Sequence, residues 1–128
     1  MTWYLDTSAF LKLITKEAES KAMRDWYSTH SQCWPSQLLL TEATRAGARL
    51  GLGEALVANA LDTVGLVLPS GTTYFAAARL PPPELRSLEA HHLATAIEIG
   101  SDLEGMVVYD QRLKAAAEAA SILTVSPT

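Results

Sequence analysis

The sequence predicts an α/β fold in which a central parallel β-sheet is covered by helices on both faces. The 128-residue chain alternates short, continuous apolar runs with longer segments of helical periodicity. Continuous apolar runs are typical of parallel strands, because such strands are buried on both sides. Hydrophobic residues make up 48% of the chain, which argues against disorder and favours one folded domain over residues 1–128.

The order of elements follows from apolar runs, helical periodicity and turn residues. Strands are predicted over residues 3–5, 66–68, 105–109 and 122–125, and residues 33–36 form either a short strand or a connector. Helices are predicted over residues 9–14, 18–28, 37–50, 54–64, 73–79, 84–99 and 111–120. Ser8 is expected to cap the first helix, and Gly100 to end the helix over residues 84–99.

The N-terminal segment, the apolar stretches and the single cysteine of the chain together predict a cytoplasmic protein. The N-terminal residues have no basic region followed by an apolar segment, so they do not resemble a signal peptide. No apolar stretch reaches the length of a membrane span, so no membrane partner is expected. Cys33 is the single cysteine, which excludes an internal disulfide and is compatible with a reducing compartment.

The charge balance points to a bound cation. Ten basic and fourteen acidic residues give a net charge of −4, so the chain lacks the overall basic character of many nucleic-acid-binding domains. Asp6, Glu42, Glu89 and Asp110 account for the whole acidic excess, since without these four the count is ten against ten. An acidic site on an otherwise balanced surface suits a metal ion.

Asp6 and Asp110 each stand at the carboxyl end of a predicted strand, immediately before the next helix. In open parallel sheets, ligands bind beyond these strand ends. If the two strands are neighbours, both carboxylates face one crevice. The structural alternative is that each aspartate only caps the helix that follows it.

Glu89 lies inside the apolar arc of its helix. At 100° per residue, that arc contains Leu85, Leu88, His92, Leu93, Ala96 and Ile99. A carboxylate directed at the core needs a partner, and the partner is either a metal ion or a basic group such as Arg86. The same wheel predicts that His92 packs in the core and that His91 faces solvent.

Glu42 lies at the edge of the apolar arc of residues 37–50, and its simplest alternative role is a surface ion pair with Arg45 or Arg49. Several carboxylates in one crevice repel one another unless a cation neutralises them. Hard oxygen ligands favour Mg²⁺ or Mn²⁺. A site of this kind activates water and stabilises charge at a phosphodiester.

Four segments of the chain form an ordered pattern: Tyr4-Leu5-Asp6-Thr7-Ser8-Ala9, Thr41-Glu42-Ala43-Thr44-Arg45, Leu85-Arg86-Ser87-Leu88-Glu89-Ala90-His91-His92-Leu93-Ala94-Thr95-Ala96 and Val108-Tyr109-Asp110-Gln111-Arg112-Leu113. In this order and spacing the chain resembles the PIN-domain ribonucleases, and among them the VapC-type toxins of bacterial toxin–antitoxin pairs. The resemblance runs from end to end.

The resemblance implies a PIN-like three-layer α/β/α sandwich and Mg²⁺- or Mn²⁺-dependent cleavage of RNA by an endoribonuclease. It also implies a homodimer and inhibition by a VapB-type antitoxin. Its acidic positions match Asp6, Glu42 and Asp110, and with Glu89 these are the expected catalytic residues. The expected metal ligands are Asp6, Glu89 and Asp110.

Ser8, Arg86 and Arg112 are the expected substrate-binding residues. Ser8 matches the small polar residue two positions after the first aspartate of the family. Arg86 and Arg112 flank Glu89 and Asp110 in sequence, where a guanidinium could contact RNA phosphate.

The chain departs from the usual family pattern at two positions, with Glu89 where Asp is common and Val108 where Thr or Ser is common. These departures motivate an alternative function, a catalytically weak or inactive PIN domain that binds antitoxin or RNA. A phosphatase that uses Asp6 as nucleophile is disfavoured, because the second acid it needs is replaced by Ser8. A phosphoryl-receiver domain is disfavoured, because it needs an acidic pair at the first strand and a phosphorylatable Asp on a middle strand, whereas Leu66-Val67-Leu68 ends in Pro69.

Overall fold

The sheet has four parallel strands in the spatial order β2–β1–β3–β4. The structure is a computed structural model that describes residues 1–128. The strands are β1 (Thr2–Leu5), β2 (Cys33–Trp34), β3 (Leu103–Val107) and β4 (Thr124–Val125). The parallel sheet predicted from continuous apolar runs is therefore confirmed.

Seven α-helices connect and cover the strands. They are α1 (Thr7–Ile14), α2 (Ser20–Ser28), α3 (Leu38–Arg49), α4 (Glu54–Leu61), α5 (Gly71–Ala77), α6 (Ser87–Ile99) and α7 (Gln111–Ala119). A short 3₁₀ turn over Gly100–Asp102 follows α6, which ends as expected at Gly100 with a positive φ of 73°. None of these helices has both the length and the apolar character needed to span a bilayer.

The core is divided by the sheet into two apolar clusters. Trp3 and Leu5 of β1 pack on one side with Phe10 of α1, whereas Tyr4 packs on the other side with Leu93 of α6. This alternation follows from the two-residue repeat of a strand, which sends successive side chains to opposite faces. Both faces are covered, so the three-layer α/β/α arrangement is confirmed.

The strand predicted over residues 66–68 is not formed. Only Val67 joins the sheet, through an isolated parallel bridge to Ser36. Strand β2 ends at Trp34, and the next residue, Pro35, has no N–H to continue a ladder. The apolar run at residues 66–68 therefore lies along a sheet edge, where Leu68 is largely exposed.

The first helix begins earlier than the sequence predicts, and Ser8 does not cap it. Asp6 is the cap residue, with its side chain accepting a hydrogen bond from the Ser8 backbone N–H. The remaining predicted helices agree with the structure to within one to three residues at each end. Strand β3 is shifted two residues toward the N-terminus relative to the predicted range of residues 105–109. Asp110 therefore lies three residues after the last residue of β3.

Gly105 is required where β3 passes between two neighbours. A Cβ atom built there would lie 2.6 Å from a ring carbon of Trp3 and 2.7 Å from the carbonyl oxygen of Leu123. We expect Gly105→Ala to lower the free energy of unfolding by roughly 1–3 kcal/mol, because the backbone contact cannot be relieved by rotating a side chain. Urea unfolding followed by circular dichroism measures the change.

Gly71→Ala is the matched control, because a Cβ at Gly71 has no atom within 4 Å. Gly71 is the first residue of α5 and has an ordinary negative φ, so the control should be neutral or slightly stabilising. Equal losses in the two variants would contradict the packing account.

Candidate active site

Asp6 and Asp110 lie at the carboxyl ends of neighbouring strands. Leu5 at the end of β1 pairs with Val107 at the end of β3, and the Asp6 backbone N–H donates to the Val107 carbonyl at 3.0 Å. The neighbouring strands that the sequence argument required are therefore present, at the sheet edge where α/β proteins bind ligands.

Ser8 connects these two strand ends. Its hydroxyl donates to Asp6 Oδ2 at 2.6 Å, and it accepts a hydrogen bond from the Tyr109 backbone N–H at 2.9 Å. The Ser8 backbone N–H also donates to Asp6 Oδ2, at 3.1 Å. Ser8 thus fixes the Asp6 carboxylate and holds it next to the chain that leads to Asp110.

Both aspartates cap the helices that follow them, as the alternative role considered from the sequence requires. Asp6 caps α1, and Asp110 Oδ1 accepts from the Leu113 backbone N–H of α7 at 2.9 Å. In each case the hydrogen bonds reach only one carboxylate oxygen. Asp6 Oδ1 and Asp110 Oδ2 make no hydrogen bond within the protein, so capping leaves each aspartate one oxygen to offer a ligand.

His92 lies beside Asp6 and is hydrogen-bonded on both ring nitrogens. Its Nδ1 is 2.5 Å from the Tyr4 hydroxyl and 3.7 Å from Asp6 Oδ1. Its Nε2 is 2.7 Å from Glu42 Oε1, which also accepts from the Thr7 hydroxyl at 2.7 Å. The expectation that His92 only packs in the core was therefore incomplete, because its imidazole links Glu42 to the end of β1.

The surroundings of His92 favour a charged pair with Glu42. Burial lowers the pKa of His92, but the hydrogen bond to Glu42 and the negative charges of Asp6, Glu42 and Asp110 outweigh it, and the net pKa is raised. Burial raises the pKa of Glu42, but the hydrogen bonds from His92 and Thr7 outweigh it, and the net pKa is lowered. The protonated form of His92 is therefore favoured, and it offsets part of the negative charge at this sheet edge.

Glu89 has protein partners of its own. Its Oε1 accepts a hydrogen bond from the Arg86 backbone N–H at 3.0 Å and lies 3.6 Å from Nη1 of Arg112. The basic group that the sequence argument proposed as an alternative is thus present, and it is Arg112 rather than the side chain of Arg86. Glu89 lies three residues before His92 on α6, so the two side chains are neighbours on one face of that helix.

The four predicted carboxylates do not form a ready-made metal cage. No three Asp, Glu, His or Cys side chains lie close enough together to hold a metal ion in this conformation. Asp6, Glu42 and Asp110 instead share an electrostatic neighbour in His92. Glu89 stands to one side of this group, held by Arg112.

His91 is buried, which contradicts the expectation that it faces solvent. It is 5% exposed, packs edge-on against Tyr74 of α5 with ring centroids 4.6 Å apart, and neither ring nitrogen has a hydrogen-bond partner. The helical wheel failed because α5 covers the face of α6 opposite the sheet, so residues 90–96 are buried all the way round. Leu88, predicted on the apolar arc, is instead half exposed.

The other expected residues are placed as follows. Arg86 and Arg112 are exposed beside the N-termini of α6 and α7. Val108 is buried in the cluster with Tyr4 and Leu93. The departure from a hydroxyl at position 108 therefore adds apolar volume to the core layer beneath the candidate site.

The adjacent histidines should respond oppositely to the same substitution. His91→Leu removes two buried polar atoms without partners, so we expect it to raise the free energy of unfolding by about 1 kcal/mol. His92→Leu leaves Tyr4 and Glu42 without their common partner, and we expect a loss of roughly 3 kcal/mol. Urea unfolding of the two variants measures the difference, and losses of equal size would contradict this assignment.

Comparisons with known proteins identify relatives of this chain. A sequence model of the PIN domain matches residues 3–119. Ribonuclease VapC35 of Mycobacterium tuberculosis is 41% identical, covering 97% of this chain and 96% of its own length. Ribonuclease VapC46 of the same organism is 36% identical over 98% of this chain and 97% of its own.

A solved structure shows the same fold. The crystal structure of Mycobacterium tuberculosis VapC20, described as a sarcin-ricin loop cleaving toxin, superposes with a TM-score of 0.78. The match covers 98% of this chain and 100% of that chain at 18% sequence identity.

Proposed function

We propose that this chain, which belongs to the PIN-domain family, is a VapC-type toxin that cleaves phosphodiester bonds within RNA. Its similarity to two ribonucleases over nearly their whole length supports this assignment. The structural observation that carries it is the pair Asp6 and Asp110, which lie at adjacent strand ends and each keep one carboxylate oxygen free of hydrogen bonds.

The donor set suits Mg²⁺ or Mn²⁺. Mg²⁺ is commonly held by one or two carboxylates, several waters and substrate phosphates rather than by a complete protein cage, so the absence of a three-residue cluster is no obstacle. We propose that Asp6 and Asp110 hold the ion and that Glu89 completes the site directly or through water. Such an ion supplies positive charge to activate water and to stabilise the oxygens of the phosphodiester.

Other residues position the carboxylates of the candidate site or contact the substrate. Ser8 fixes Oδ2 of Asp6 and leaves Oδ1 free of hydrogen bonds. His92 and Thr7 hold Glu42, so Glu42 acts as an oriented acceptor near the reacting phosphate. We assign Arg112 and Arg86 to substrate contacts, with Arg112 exchanging its partner Glu89 for an RNA phosphate.

The finer partner assignments rest on the resemblance. We propose that a VapB-type antitoxin inhibits this chain by covering the acidic crevice, and that two copies form a homodimer. The exposed aromatic side chains Tyr74 and Phe75 of α5 support an interface between copies. An RNA substrate accords with the cytoplasmic location expected from the sequence.

RNA cleavage tests the function. With Mg²⁺, the protein should cut a structured RNA such as total ribosomal RNA into discrete fragments. EDTA should abolish cutting, and Asp6→Asn should lower the rate at least about a hundredfold, because it removes charge from the oxygen proposed to bind metal. Gel electrophoresis and sequencing of fragment 5′ ends measure both effects.

Asp25→Asn is the control for loss of an aspartate, since Asp25 is exposed and pairs only with Lys21. It should cleave like the unaltered protein. Equal cleavage by the unaltered protein, the EDTA-treated protein and Asp6→Asn would overturn the proposal.

The pairing of Glu89 with Arg112 favours one second candidate, a PIN domain that binds RNA or antitoxin without cutting. Tight RNA binding without fragments at any Mg²⁺ or Mn²⁺ concentration would select this alternative. Glu89→Asp distinguishes a slow enzyme from a binding module, because its shorter side chain should raise cleavage only if Glu89 acts in the reaction.

A further inference from the structure

We infer that Arg45 and Arg49 of α3 form a phosphate-binding subsite that guides RNA toward Glu42. This inference rests on the proposed function. The sequence suggests both arginines as ion-pair partners of Glu42, but in the structure neither forms an ion pair with it. It places both residues on the wall of a cavity that reaches the candidate active site.

The cavity lies between α1 and α3 and has a volume of about 310 Å³. Thr7, Glu42, Arg45, Arg49 and Leu88 are among its lining residues. Thr7 directly follows Asp6, and Leu88 directly precedes Glu89. The cavity is therefore bounded by the immediate neighbours of two proposed metal ligands and by Glu42 itself.

Neither arginine has a carboxylate partner. Glu42 is the acidic residue nearest to them on α3, and its Oε1 is taken by His92 and Thr7. By contrast, Lys12, Lys21 and Arg112 each lie within 4.0 Å of a carboxylate. The guanidinium groups of Arg45 and Arg49 make neither an ion pair nor a hydrogen bond, so they remain available to an anion.

The spacing of the two arginines suits a nucleic-acid backbone. Residues at positions i and i+4 lie on one helix face, about 6 Å apart along the axis. This separation is comparable to that of successive phosphates along a strand. Two like charges at this spacing destabilise a helix by a few tenths of a kcal/mol. Helix stability therefore does not account for the presence of both arginines on α3.

Arginine is the cation best suited to phosphate, because its planar fork donates two parallel hydrogen bonds. Arg49 also lies in the last turn of α3, where a cation interacts favourably with the helix dipole. Arg45 lies one turn earlier, outside the range of that effect, so the dipole does not account for both residues. Glu42 lies one turn before Arg45 on α3, so RNA bound along the two arginines would lead toward the candidate active site.

The test measures how salt affects binding of RNA that cannot be cut. A fluorescein-labelled RNA 12-mer is titrated in EDTA, which withholds the metal ion proposed to be needed for cutting, with the unaltered protein and with Arg45→Gln/Arg49→Gln, at several NaCl concentrations, by fluorescence anisotropy. Each lost contact with a single-stranded phosphate lowers the slope of log Kd against log salt by about 0.7. We therefore expect the double variant to lose about 1.4 from this slope.

Two further variants make the result specific. Lys16→Gln/Lys21→Gln removes the same charge from exposed positions outside the cavity and should keep the full slope. Arg45→Lys/Arg49→Lys keeps the charge and should retain most of it. In cleavage assays with Mg²⁺, the glutamine variant should raise KM about tenfold and change kcat less than about twofold, as expected for lost ground-state binding.

An unchanged slope in the Arg45→Gln/Arg49→Gln protein would overturn the inference. An equal loss of slope in the Lys16→Gln/Lys21→Gln control would also overturn it. Weakened binding of an acidic peptide with unchanged RNA binding would also overturn it, since it would assign the arginines to a protein partner. Failure of the proposed function is seen separately. In that case the unaltered protein does not cut RNA with Mg²⁺, whatever the binding slopes show.

Discussion

The mutual repulsion of carboxylates at one end of a parallel sheet is the constraint on which the rest of this structure depends. Asp6, Glu42 and Asp110 all act electrostatically on a single buried imidazole, His92. Its Nε2 lies 2.7 Å from Glu42 Oε1, and its Nδ1 is hydrogen-bonded to the hydroxyl of Tyr4 in β1. When protonated, His92 therefore offsets part of the negative charge of the acidic crevice.

The same polar groups cap helices and form the candidate active site. Asp6 and Asp110 begin α1 and α7 by capping them, and Ser8 joins their strand ends through Asp6 and Tyr109. Each cap uses one carboxylate oxygen, and the second remains for a ligand. Building the site from helix caps places its ligands on rigid elements, which keeps their positions well defined.

The sequence was sufficient to predict the fold and the two aspartates, because strand ends and turn residues are local features. It was not sufficient for His91, since the cover that α5 gives α6 depends on tertiary packing. The role of His92 could have been found by the rule applied to Glu89, that a polar group on an apolar arc needs a partner. The partner, Glu42, lies 50 residues away in sequence, so periodicity within one helix could not identify it.

The strand predicted over residues 66–68 shows another limit of local patterns. Its apolar run resembles that of β1, but β2 stops before Pro35, and only Ser36, beyond β2, forms a single bridge to Val67. Whether an apolar run forms a strand therefore depends on the length of the strand that is available to pair with it. Similarly, the availability of Arg45 and Arg49 follows from contacts that Glu42 makes with α1 and α6 rather than from spacing along α3.

The central claim is that the ends of β1 and β3 form one cation site centred on Asp6 and Asp110. A Mg²⁺ titration followed by ¹H–¹⁵N correlation spectra tests it most directly. The account predicts saturable shifts at the backbone amides of Asp6, Ser8, Tyr109 and Asp110 that disappear in Asp110→Asn. No shift at these amides, or the same shifts in Asp110→Asn as in the unaltered protein, would contradict it.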